Sequence, residues 1–566
     1  MKVAPRGSSA ALLGWRNEHW RVLLDEEYTT DFLYLVAAHV AKAEVPQGLG
    51  RALTTGSMVA LQKDDGGVRG IVAGETLRRL VARTLTQQYG EALEEECGSL
   101  QFAFSTRAGT ECVSHMIRAA TELDPELTVL SIDEMGAYDL MRRQAMLSKL
   151  QSSPKLLPLL PFVRLSYGQP SRYWWRDKHG KRHVVKQGEG GEQGDPLMPA
   201  LFCLGLTDTL SEVKAQLQPG EQFFAYLDDI YVLCKPARVK QLYLLLKDTL
   251  KNNTGLDLNE GKTRVYNQSG TEPEGVRELG AQVWTGALDK DPAERGLKVL
   301  GTPVGTAEFM AAHGAKWTNQ ERKLWKFLEK VPDLQSAWLL LLSCSGPRFN
   351  YRSRTVPPQH NGVYAKSHDQ GMWATLCALL QRRDLAEELE SAAAQVASLP
   401  LRKGGLGLRS ARRTGPAAYW ASWADTLPMM TAKCPDMAHQ IFTELEKGWQ
   451  SEAESLTAVA AAKATLQAEG YAECPTWREL SQGKRPPRRE EQAEPGEYRH
   501  GWQYEASSRR ETYYRDGTVL NSRSKASQAM LRSQAGRCAG EHLTFLPVRE
   551  ELHWESAKLR VLLLRR

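Results

Sequence analysis

Short apolar runs and stretches of helical spacing alternate through the first half of the chain. Hydrophobic residues recur at helical intervals over 77–85, which predicts an amphipathic helix. The mostly apolar run 128–132 predicts a buried strand that ends at Asp133. The run 223–234 predicts two strand halves interrupted only by two aspartates. Strands, helices and hairpins mix without a strict βαβ repeat, so the pattern predicts an α+β fold.

The second half of the chain has a different pattern, which is largely helical. Residues 306–342 and 372–397 carry helical periodicity and few strand signals. Two basic stretches, 345–371 and 404–415, are predicted to be irregular interruptions. Pro, Arg and Glu enrich the segment around 482–497, which predicts a linker there.

Composition narrows the class of protein. A chain of 566 residues is long enough for several domains, and 42% hydrophobic with 25% charged residues is typical of a globular protein. The net charge of +6 permits a polyanionic partner without requiring one. No apolar run is long enough to span a bilayer, so we expect no membrane partner. Nine dispersed cysteines without a Cys-x-x-Cys pair favour a reducing intracellular compartment and argue against a zinc knuckle.

Three aspartates are the candidate chemistry. Asp228 and Asp229 lie between two apolar strand halves, which predicts a tight hairpin that exposes carboxylates. Asp133 ends an apolar strand, and each site alone is also typical of an ordinary acidic turn. Transfer of a nucleotide to a 3′-hydroxyl requires two Mg²⁺ ions about 3.5–4 Å apart. Mg²⁺ prefers carboxylate oxygens, so these aspartates could supply the site if they converge.

The order of five segments makes the pattern more specific. The strand that ends at Asp133 is followed by Gly-Gly-Glu-Gln-Gly-Asp-Pro-Leu at 190–197 and Tyr-Leu-Asp-Asp at 226–229. Gly-Leu-Asp-Leu-Asn-Glu-Gly-Lys-Thr at 255–263 and Leu-Gly-Thr-Pro-Val-Gly at 300–305 come next. This series resembles the successive palm motifs of reverse transcriptases, closest to those of LINE-type retrotransposons, which lack long terminal repeats.

The resemblance covers about residues 50–430 and implies a right-hand polymerase with fingers, palm and thumb. It implies the following division of the chain: an N-terminal extension at 1–50, fingers and palm at 51–305, a helical thumb-like region at 306–430, and a C-terminal region of unknown role at 431–566.

The resemblance also implies roles for single residues around the metals and the nucleotide. Asp133, Asp228 and Asp229 would form the metal-binding triad. Asp133 and Asp228 would bridge two Mg²⁺ ions, for which Mn²⁺ is a possible substitute, and Asp229 would contribute less directly. Tyr138 falls where the family keeps an aromatic residue under the incoming sugar, and its ring would exclude a 2′-hydroxyl. The Gln-Gly pair Gln193 and Gly194 would line the nucleotide pocket.

Three basic residues match positions that the family uses on the triphosphate. Lys63 and Arg69 would grip the triphosphate from the fingers. The family usually has proline after this arginine, whereas Gly70 stands here. Lys262 would lie near the leaving pyrophosphate and act as a general acid. The segment 300–305 resembles the hairpin that supports the primer end.

A polymerase must also hold its template and primer by the backbone, through basic groups interleaved with aromatic ones. Three segments have this composition and are candidate nucleic-acid contacts: 172–183, 348–354 and 402–413. The implied partners are an RNA template, a DNA primer and deoxynucleoside triphosphates.

The sequence therefore predicts an RNA-directed DNA polymerase of a retrotransposon, present in the nucleus and cytoplasm as a ribonucleoprotein. The alternatives are a catalytically inactive relic that still binds nucleic acid and a domesticated protein such as an intron maturase. Too few residues precede the fingers to hold an N-terminal endonuclease, and no nuclease motif follows Gly415. We therefore expect no target-primed integration by this chain alone.

Overall fold

A computed structural model describes residues 7–63, 66–104, 107–387, 389–487 and 501–566. Asp64 and Asp65 of the predicted fingers turn, and the predicted linker from residue 488 onward, lie outside the described residues. The chain divides into two compact units. The first comprises Met1–Thr106, Thr128–Val265 and Glu272–Trp284, and the second comprises Arg107–Leu127, Tyr266–Thr271 and Thr285–Arg566. The predicted domain boundaries stay predictions.

Ten strands are present in the described part of the chain. They are β1 (Thr55–Gln62), β2 (Val68–Ala73), β3 (Thr128–Ile132), β4 (Ser171–Arg176), β5 (Arg182–Gln187), β6 (Gln222–Tyr226), β7 (Asp229–Cys234), β8 (Arg264–Tyr266), β9 (Gly296–Val299) and β10 (Thr302–Gly305).

The α-helices of the same described ranges are α1 (Asn17–Arg21), α2 (Glu27–Ala41), α3 (Gln47–Thr54), α4 (Thr76–Gln88), α5 (Gly90–Cys97), α6 (Gly109–Leu123), α7 (Ala137–Leu140), α8 (Arg143–Ser152), α9 (Leu160–Tyr167), α10 (Met198–Lys214), α11 (Val239–Thr254), α12 (Ala307–Leu328), α13 (Leu334–Leu340), α14 (Arg348–Thr355), α15 (Pro358–Leu379), α16 (Ala392–Ala397), α17 (Ala411–Lys433), α18 (Pro435–Lys447), α19 (Glu454–Ala468), α20 (Trp477–Ser481), α21 (Trp502–Tyr514), α22 (Lys525–Ser533) and α23 (Ser556–Arg565).

The first unit is built on two four-stranded sheets. One has the order β2-β1-β4-β5, in which β1 is antiparallel to β2 and parallel to β4. The other has the order β6-β7-β3-β8, with β7 antiparallel to both of its neighbours. Helix α10 packs against α8 and α11 and contributes a nearly continuous buried apolar face. Strands β3 and β7 are largely buried, and most of their residues are apolar.

The second unit is helical apart from the β9–β10 hairpin. Helix α12 packs along α15, and α17 contacts α6, α14, α19 and α21. Its largest fully buried side chains include those of Trp338, Trp420 and Trp423. No strand follows Gly305 in the part of the chain that the structure describes, so the α+β prediction with a largely helical C-terminal half is confirmed.

The stretch 345–371 differs from the prediction, and the last residues of 404–415 are also helical, since α17 begins at Ala411. Residues 345–371 were expected to be irregular because they are basic and weakly periodic, but α14 and most of α15 occupy them. The prediction was wrong because the polar side chains of these helices face partners inside the unit. Tyr364 and His368, for example, both bond to the buried carboxylate of Glu321. Across the described residues, no helix is both long enough and apolar enough to cross a membrane.

The C-terminal region packs onto other helices of the second unit. Helix α21 lies against α17, and α23 lies against α13. The Arg566 side chain donates to the carbonyl oxygens of Leu401 (2.5 Å) and Gly405 (2.8 Å). A region for which the sequence indicated little therefore completes the core of this unit.

Candidate active site

The sheet register brings the predicted carboxylates to one edge. Tyr226 pairs with Asp229 across the β6–β7 hairpin, so Leu227 and Asp228 form a two-residue turn. Strand β3 is antiparallel to β7, and its last residue, Ile132, pairs with Ile230. The next position on β3, Asp133, therefore extends toward the hairpin turn, since one further step in this register lies opposite position 229.

The turn itself is strained and is held by a buried amide. Leu227 has a φ of 55°, in the left-handed region that a branched side chain rarely adopts. Its backbone N–H donates to Oε1 of Gln101 at 2.9 Å, and Gln101 is only 1% exposed. Such strained positions persist where the surrounding structure fixes them. Gln101 was missed by the sequence interpretation, since one polar residue beside Phe102 carries no distinctive signal.

Asp133 is held from a third segment, which follows α11. The backbone N–H of Asn259 donates to the Asp133 carbonyl at 2.8 Å, and its side-chain amide donates to Oδ2 at 3.1 Å. The Lys262 ammonium lies 3.0 Å from the same oxygen. Asn259 belongs to a motif recognised in the sequence, but its contact with the carboxylate was not predicted.

A cavity of about 640 Å³ lies at this edge of the first unit. Eight of the nine predicted site residues line it: Lys63, Arg69, Asp133, Tyr138, Gln193, Gly194, Asp228 and Lys262. The ninth, Asp229, lies one residue beyond Asp228 at the start of β7 and does not line the cavity. The structure thus brings together residues that are up to 199 positions apart in the chain, from Lys63 to Lys262.

Burial and mutual repulsion dominate the electrostatics of the carboxylates. Burial and the Asp133 carboxylate raise the pKa of Asp228. Burial, followed by the charges of Asp228 and Asp133, raises the pKa of Asp229 to about 6. Glu134, 4% exposed, has no hydrogen-bond partner for either carboxylate oxygen among the described residues. Its pKa is raised well above the usual range by burial and by the three aspartates.

These residues fit a hard divalent cation. Asp133 and Asp228 present carboxylate oxygens to the cavity, and a cation there would offset the repulsion that raises the pKa of Asp228. Within the described ranges, no three His, Cys, Asp or Glu side chains are grouped closely enough to hold a metal ion alone. Protein ligands would therefore be completed by substrate oxygens, as is usual for Mg²⁺.

Tyr138 is fixed against the wall of the cavity. It follows Gly136 in the short helix α7, and its ring stacks on Phe202 with centroids 4.8 Å apart and planes 10° apart. The Gln193 amide donates to Asp139 at 3.1 Å, so the loop before α10 and the segment after β3 are joined. These contacts give Tyr138 one defined position in the cavity.

Two glycines allow this loop to pack closely. Gly190 has a φ of +64°, and an added Cβ would lie 2.3 Å from the backbone of Tyr138 and Asp139. Gly194 has a φ of +144°, and a Cβ there would lie 2.4 Å from the Val72 carbonyl oxygen. Any larger residue would force the loop away from the cavity.

A buried ion pair supports the same loop from α4. Arg78 and Glu192 are each 1% exposed and bond to each other. The Tyr167 hydroxyl accepts from the Glu192 backbone N–H at 3.4 Å and donates to Asp195 at 2.7 Å. Arg143 donates to the Gly190 carbonyl at 2.8 Å. The sequence interpretation missed these residues, although Arg78 shares a helical spacing with the buried Val81, Ala82 and Leu85.

Lys63 and Arg69 stand on the β1–β2 hairpin, which confirms the predicted hairpin. Gly70 replaces the family's proline within a regular ladder, paired with Ala60. Arg69 is the preceding residue and lines the cavity with Lys63. Their roles on the triphosphate stay predictions.

The three candidate nucleic-acid segments are in different environments. In 348–354, Arg352 bonds to Glu321 at 2.9 Å and Arg354 bonds to Asp425 at 3.0 Å, so these guanidinium groups are engaged inside the second unit. Tyr351 donates to the Leu300 carbonyl at 2.8 Å and supports the β9–β10 turn.

In 402–413 the basic side chains are divided. Arg413 bonds to Glu511 at 2.9 Å and covers the ring of Tyr514, while buried Lys403 bonds to Thr512. Burial lowers the pKa of Lys403 to about 8. Only Arg409 and Arg412 of this segment are exposed, so it presents fewer free cations than its sequence indicates.

The cavity has acidic residues on the end of strand β3 and on the adjacent β6–β7 hairpin, the arrangement expected of a polymerase palm. Residues 61–304 match the family described as "Reverse transcriptase (RNA-dependent DNA polymerase)". This part of the chain, a little under half of it, is similar to that family, in agreement with the polymerase fold expected from the sequence. Domains of this family generally use divalent metals.

Two curated relatives are similar over parts of their length. The retrotransposable element SLACS 132 kDa protein of Trypanosoma brucei gambiense is 23% identical over 420 residues, which are 73% of this chain and 33% of that protein. A probable translocation protein of Sinorhizobium fredii (strain NBRC 101917 / NGR234) is 35% identical over 141 residues, 24% of this chain and 34% of that protein. The chain spans about a third of the length of these relatives.

Solved structures of telomerase are distantly similar. Telomerase from Candida albicans in complex with a fragment of telomeric RNA has 13% identity and a TM-score of 0.39, covering 76% of this chain and 70% of that one. Apo telomerase from Candida tropicalis has 11% identity and a TM-score of 0.33, covering 79% of this chain and 67% of that one.

Proposed function

We propose that the chain is an RNA-directed DNA polymerase of a retrotransposon without long terminal repeats. It adds deoxynucleotides to the 3′-hydroxyl of a primer. The observation that carries this proposal is the cavity of the first unit, which is lined by the carboxylates of Asp133 and Asp228. The other predicted site residues that line it are Lys63, Arg69, Tyr138, Gln193, Gly194 and Lys262. The match over residues 61–304 and the retrotransposon relative support it.

Asp133 and Asp228 would hold two Mg²⁺ ions, which supply activation of the attacking hydroxyl and charge neutralisation of the triphosphate. Asp229, at the start of β7, would add negative charge next to these two carboxylates. Asn259 fixes the Asp133 carboxylate by its side-chain amide, 3.1 Å away. The strained Leu227 turn, held by Gln101, fixes Asp228. Positioning of this kind supplies a large share of catalysis in phosphoryl transfer.

The basic residues act on the triphosphate. Lys63 and Arg69 offset its negative charge from the β1–β2 hairpin. Lys262 is 56% exposed and lies 3.0 Å from Asp133, so it can exchange that carboxylate for a phosphate oxygen when a nucleotide is bound. From there it donates a proton to the leaving pyrophosphate.

The proposed partners are an RNA template, a DNA primer and deoxynucleoside triphosphates, and the proposed location is the nucleus and cytoplasm, as a ribonucleoprotein. Intact carboxylates and a fixed Tyr138 favour the enzyme over an inactive or domesticated nucleic-acid-binding protein. A relic under no catalytic constraint has no need of these groups in one cavity.

Primer extension tests the proposal. The protein should incorporate dTTP on poly(rA) primed with oligo(dT) in the presence of Mg²⁺, and it should incorporate no dGTP. Omission of the template is the control for untemplated addition. Absence of template-dependent incorporation with Mg²⁺ and with Mn²⁺ would exclude the polymerase function.

Tyr138 is expected to select deoxynucleotides. Tyr138→Ala opens space beside Phe202, so the ratio of kcat/KM for a ribonucleotide to that for the deoxynucleotide should rise about 10- to 100-fold. Tyr138→Phe keeps the ring and should leave the ratio unchanged. Steady-state kinetics with UTP and dTTP measure both variants, and an unchanged ratio in Tyr138→Ala would remove Tyr138 from this role.

A further inference from the structure

The β4–β5 hairpin has one face that is exposed and basic. Tyr173 of β4 is fully buried, whereas the side chains on either side of it point to solvent. Register pairs six exposed residues in three cross-strand pairs: Arg172 with Lys186, Trp174 with Val184, and Arg176 with Arg182. We call these six side chains the hairpin face.

Charge on the hairpin face is uncompensated. Two pairs place like charges directly opposite each other, which is unfavourable within a sheet. The four cations have no hydrogen bond or ion pair to other residues that the structure describes. The single acid of the segment 171–187 is Asp177. It is committed to the turn, where it accepts from the backbone of His179 (2.9 Å) and Lys181 (3.0 Å) and from His183 (2.8 Å).

An aromatic and an aliphatic side chain lie between the two pairs of cations. Trp174 is 40% exposed and Val184 is 49% exposed. Two residues along a strand span about 7 Å, so each cation pair lies about that far from the indole. This arrangement suits single-stranded nucleic acid, because its phosphates can pair with cations on both sides of an exposed aromatic ring while a base stacks on the ring.

The hairpin face belongs to the same sheet as the β1–β2 hairpin, which carries the cations Lys63 and Arg69. Strand β4 is parallel to β1, with Ser57 beside Trp174, so the tips of both hairpins lie at the same end of the sheet. The β1–β2 hairpin carries Lys63 and Arg69 into the cavity. The exposed side chains of Val59 (54%) and Leu61 (50%) continue the surface across β1. A strand bound on the hairpin face therefore leads along one sheet toward the nucleotide cavity.

We infer that the hairpin face binds single-stranded nucleic acid and, if the proposed function holds, the unpaired template ahead of the copying site. The four uncompensated cations of the hairpin face favour a polyanion as the ligand over a protein surface of ordinary composition. The open, flat sheet and the exposed indole favour an unpaired strand, whose bases are available for stacking, over a duplex.

Binding of a labelled 20-nucleotide oligo(rA), measured by fluorescence anisotropy in EDTA, tests the inference without reference to catalysis. The variant R172Q/R176Q/R182Q/K186Q should bind at least about tenfold more weakly. The slope of log K against log salt should fall by about 3, since each phosphate that the variant no longer neutralises lowers it by about 0.7. The control K149Q/K240Q/K247Q/K251Q removes four lysines of the same unit that are already paired with carboxylates. It should bind within about twofold of wild type.

Trp174→Ala separates stacking from charge. It should weaken binding of oligo(rA) about tenfold and leave binding of a duplex of the same length unchanged. Equal weakening by the hairpin variant and the lysine control would overturn the inference, since net charge would then explain it. The inference would also be overturned if R172Q/R176Q/R182Q/K186Q bound oligo(rA) with wild-type affinity, or if that variant changed its oligomeric state and kept its affinity. Primer extension by the wild-type protein is measured in a separate assay. If the proposed function fails there, the binding measurements still test whether the hairpin face binds single-stranded nucleic acid.

Discussion

Asp228→Asn is expected to lower the rate of RNA-templated dTTP incorporation at least about a thousandfold. The substitution keeps the size of the side chain and the strained Leu227 turn but removes the charge that holds a cation. Metal ions contribute several kcal/mol of charge stabilisation in phosphoryl transfer, and each 1.36 kcal/mol is tenfold in rate. Single-turnover primer extension with saturating dTTP measures this loss at the chemical step.

Asp257→Asn is the matched control. Asp257 belongs to the same unit, is exposed, and forms a surface ion pair with Lys251 at 2.7 Å. Such pairs contribute little, so the rate should stay within about twofold of wild type. An Asp228→Asn rate comparable to that of this control would contradict the assignment of the hairpin carboxylate.

Arg78→Met is expected to destabilise the first unit by about 3–5 kcal/mol, because it leaves the buried Glu192 carboxylate without its partner. Glu192 directly precedes Gln193 and Gly194, so the loop that lines the cavity should open together with α4. Hydrogen exchange of the α4 amides and of the loop 189–195 reports the local free energy of opening. The loss should also raise KM for dTTP, since the loop positions the nucleotide.

The double variant Arg78→Met/Glu192→Met separates the ion pair from packing. Removing both charges takes away the unpaired carboxylate, so most of the lost stability should return. A single variant with wild-type exchange, or a double variant less stable than the single, would show that this pair does not hold the loop.

Local sequence pattern was sufficient for the elements that carry the carboxylates. The apolar run 128–132 is β3, and the run around Asp228 and Asp229 is the β6–β7 hairpin. The β1–β2 hairpin and helix α4 were also predicted. In each case a short apolar run or a helical stripe has only one way to bury its side chains.

Long-range partners could not be read from the sequence. Gln101 lies 126 positions from Leu227, and Arg78 lies 114 positions from Glu192. A polar residue in a buried stripe signals a partner but does not identify it. The basic segments show the same limit, since the arginines of 348–354 and those of the hairpin 172–182 have similar surroundings in the sequence. In the structure, Arg352 and Arg354 pair with acids of their own unit, whereas the arginines of the hairpin are exposed.

The stretch 345–371 shows how polarity misled the fold prediction. Arg352, Tyr364 and His368 gave it a loop-like composition, but all three surround Glu321, which is fully buried. Tertiary hydrogen bonds replaced the apolar face by which an amphipathic helix is normally recognised. Such a helix is visible only once its partner is known.

The number of bound metal ions shows whether Asp133 and Asp228 hold one shared metal centre. Mn²⁺ can be titrated, with detection by electron paramagnetic resonance, into protein bound to an RNA template, a primer that ends in a 3′-deoxynucleotide, and the next dNTP. We expect two tightly bound ions for wild type and at most one for Asp133→Asn. The same number of ions in both proteins would mean that the end of β3 and the adjacent hairpin do not share a metal centre.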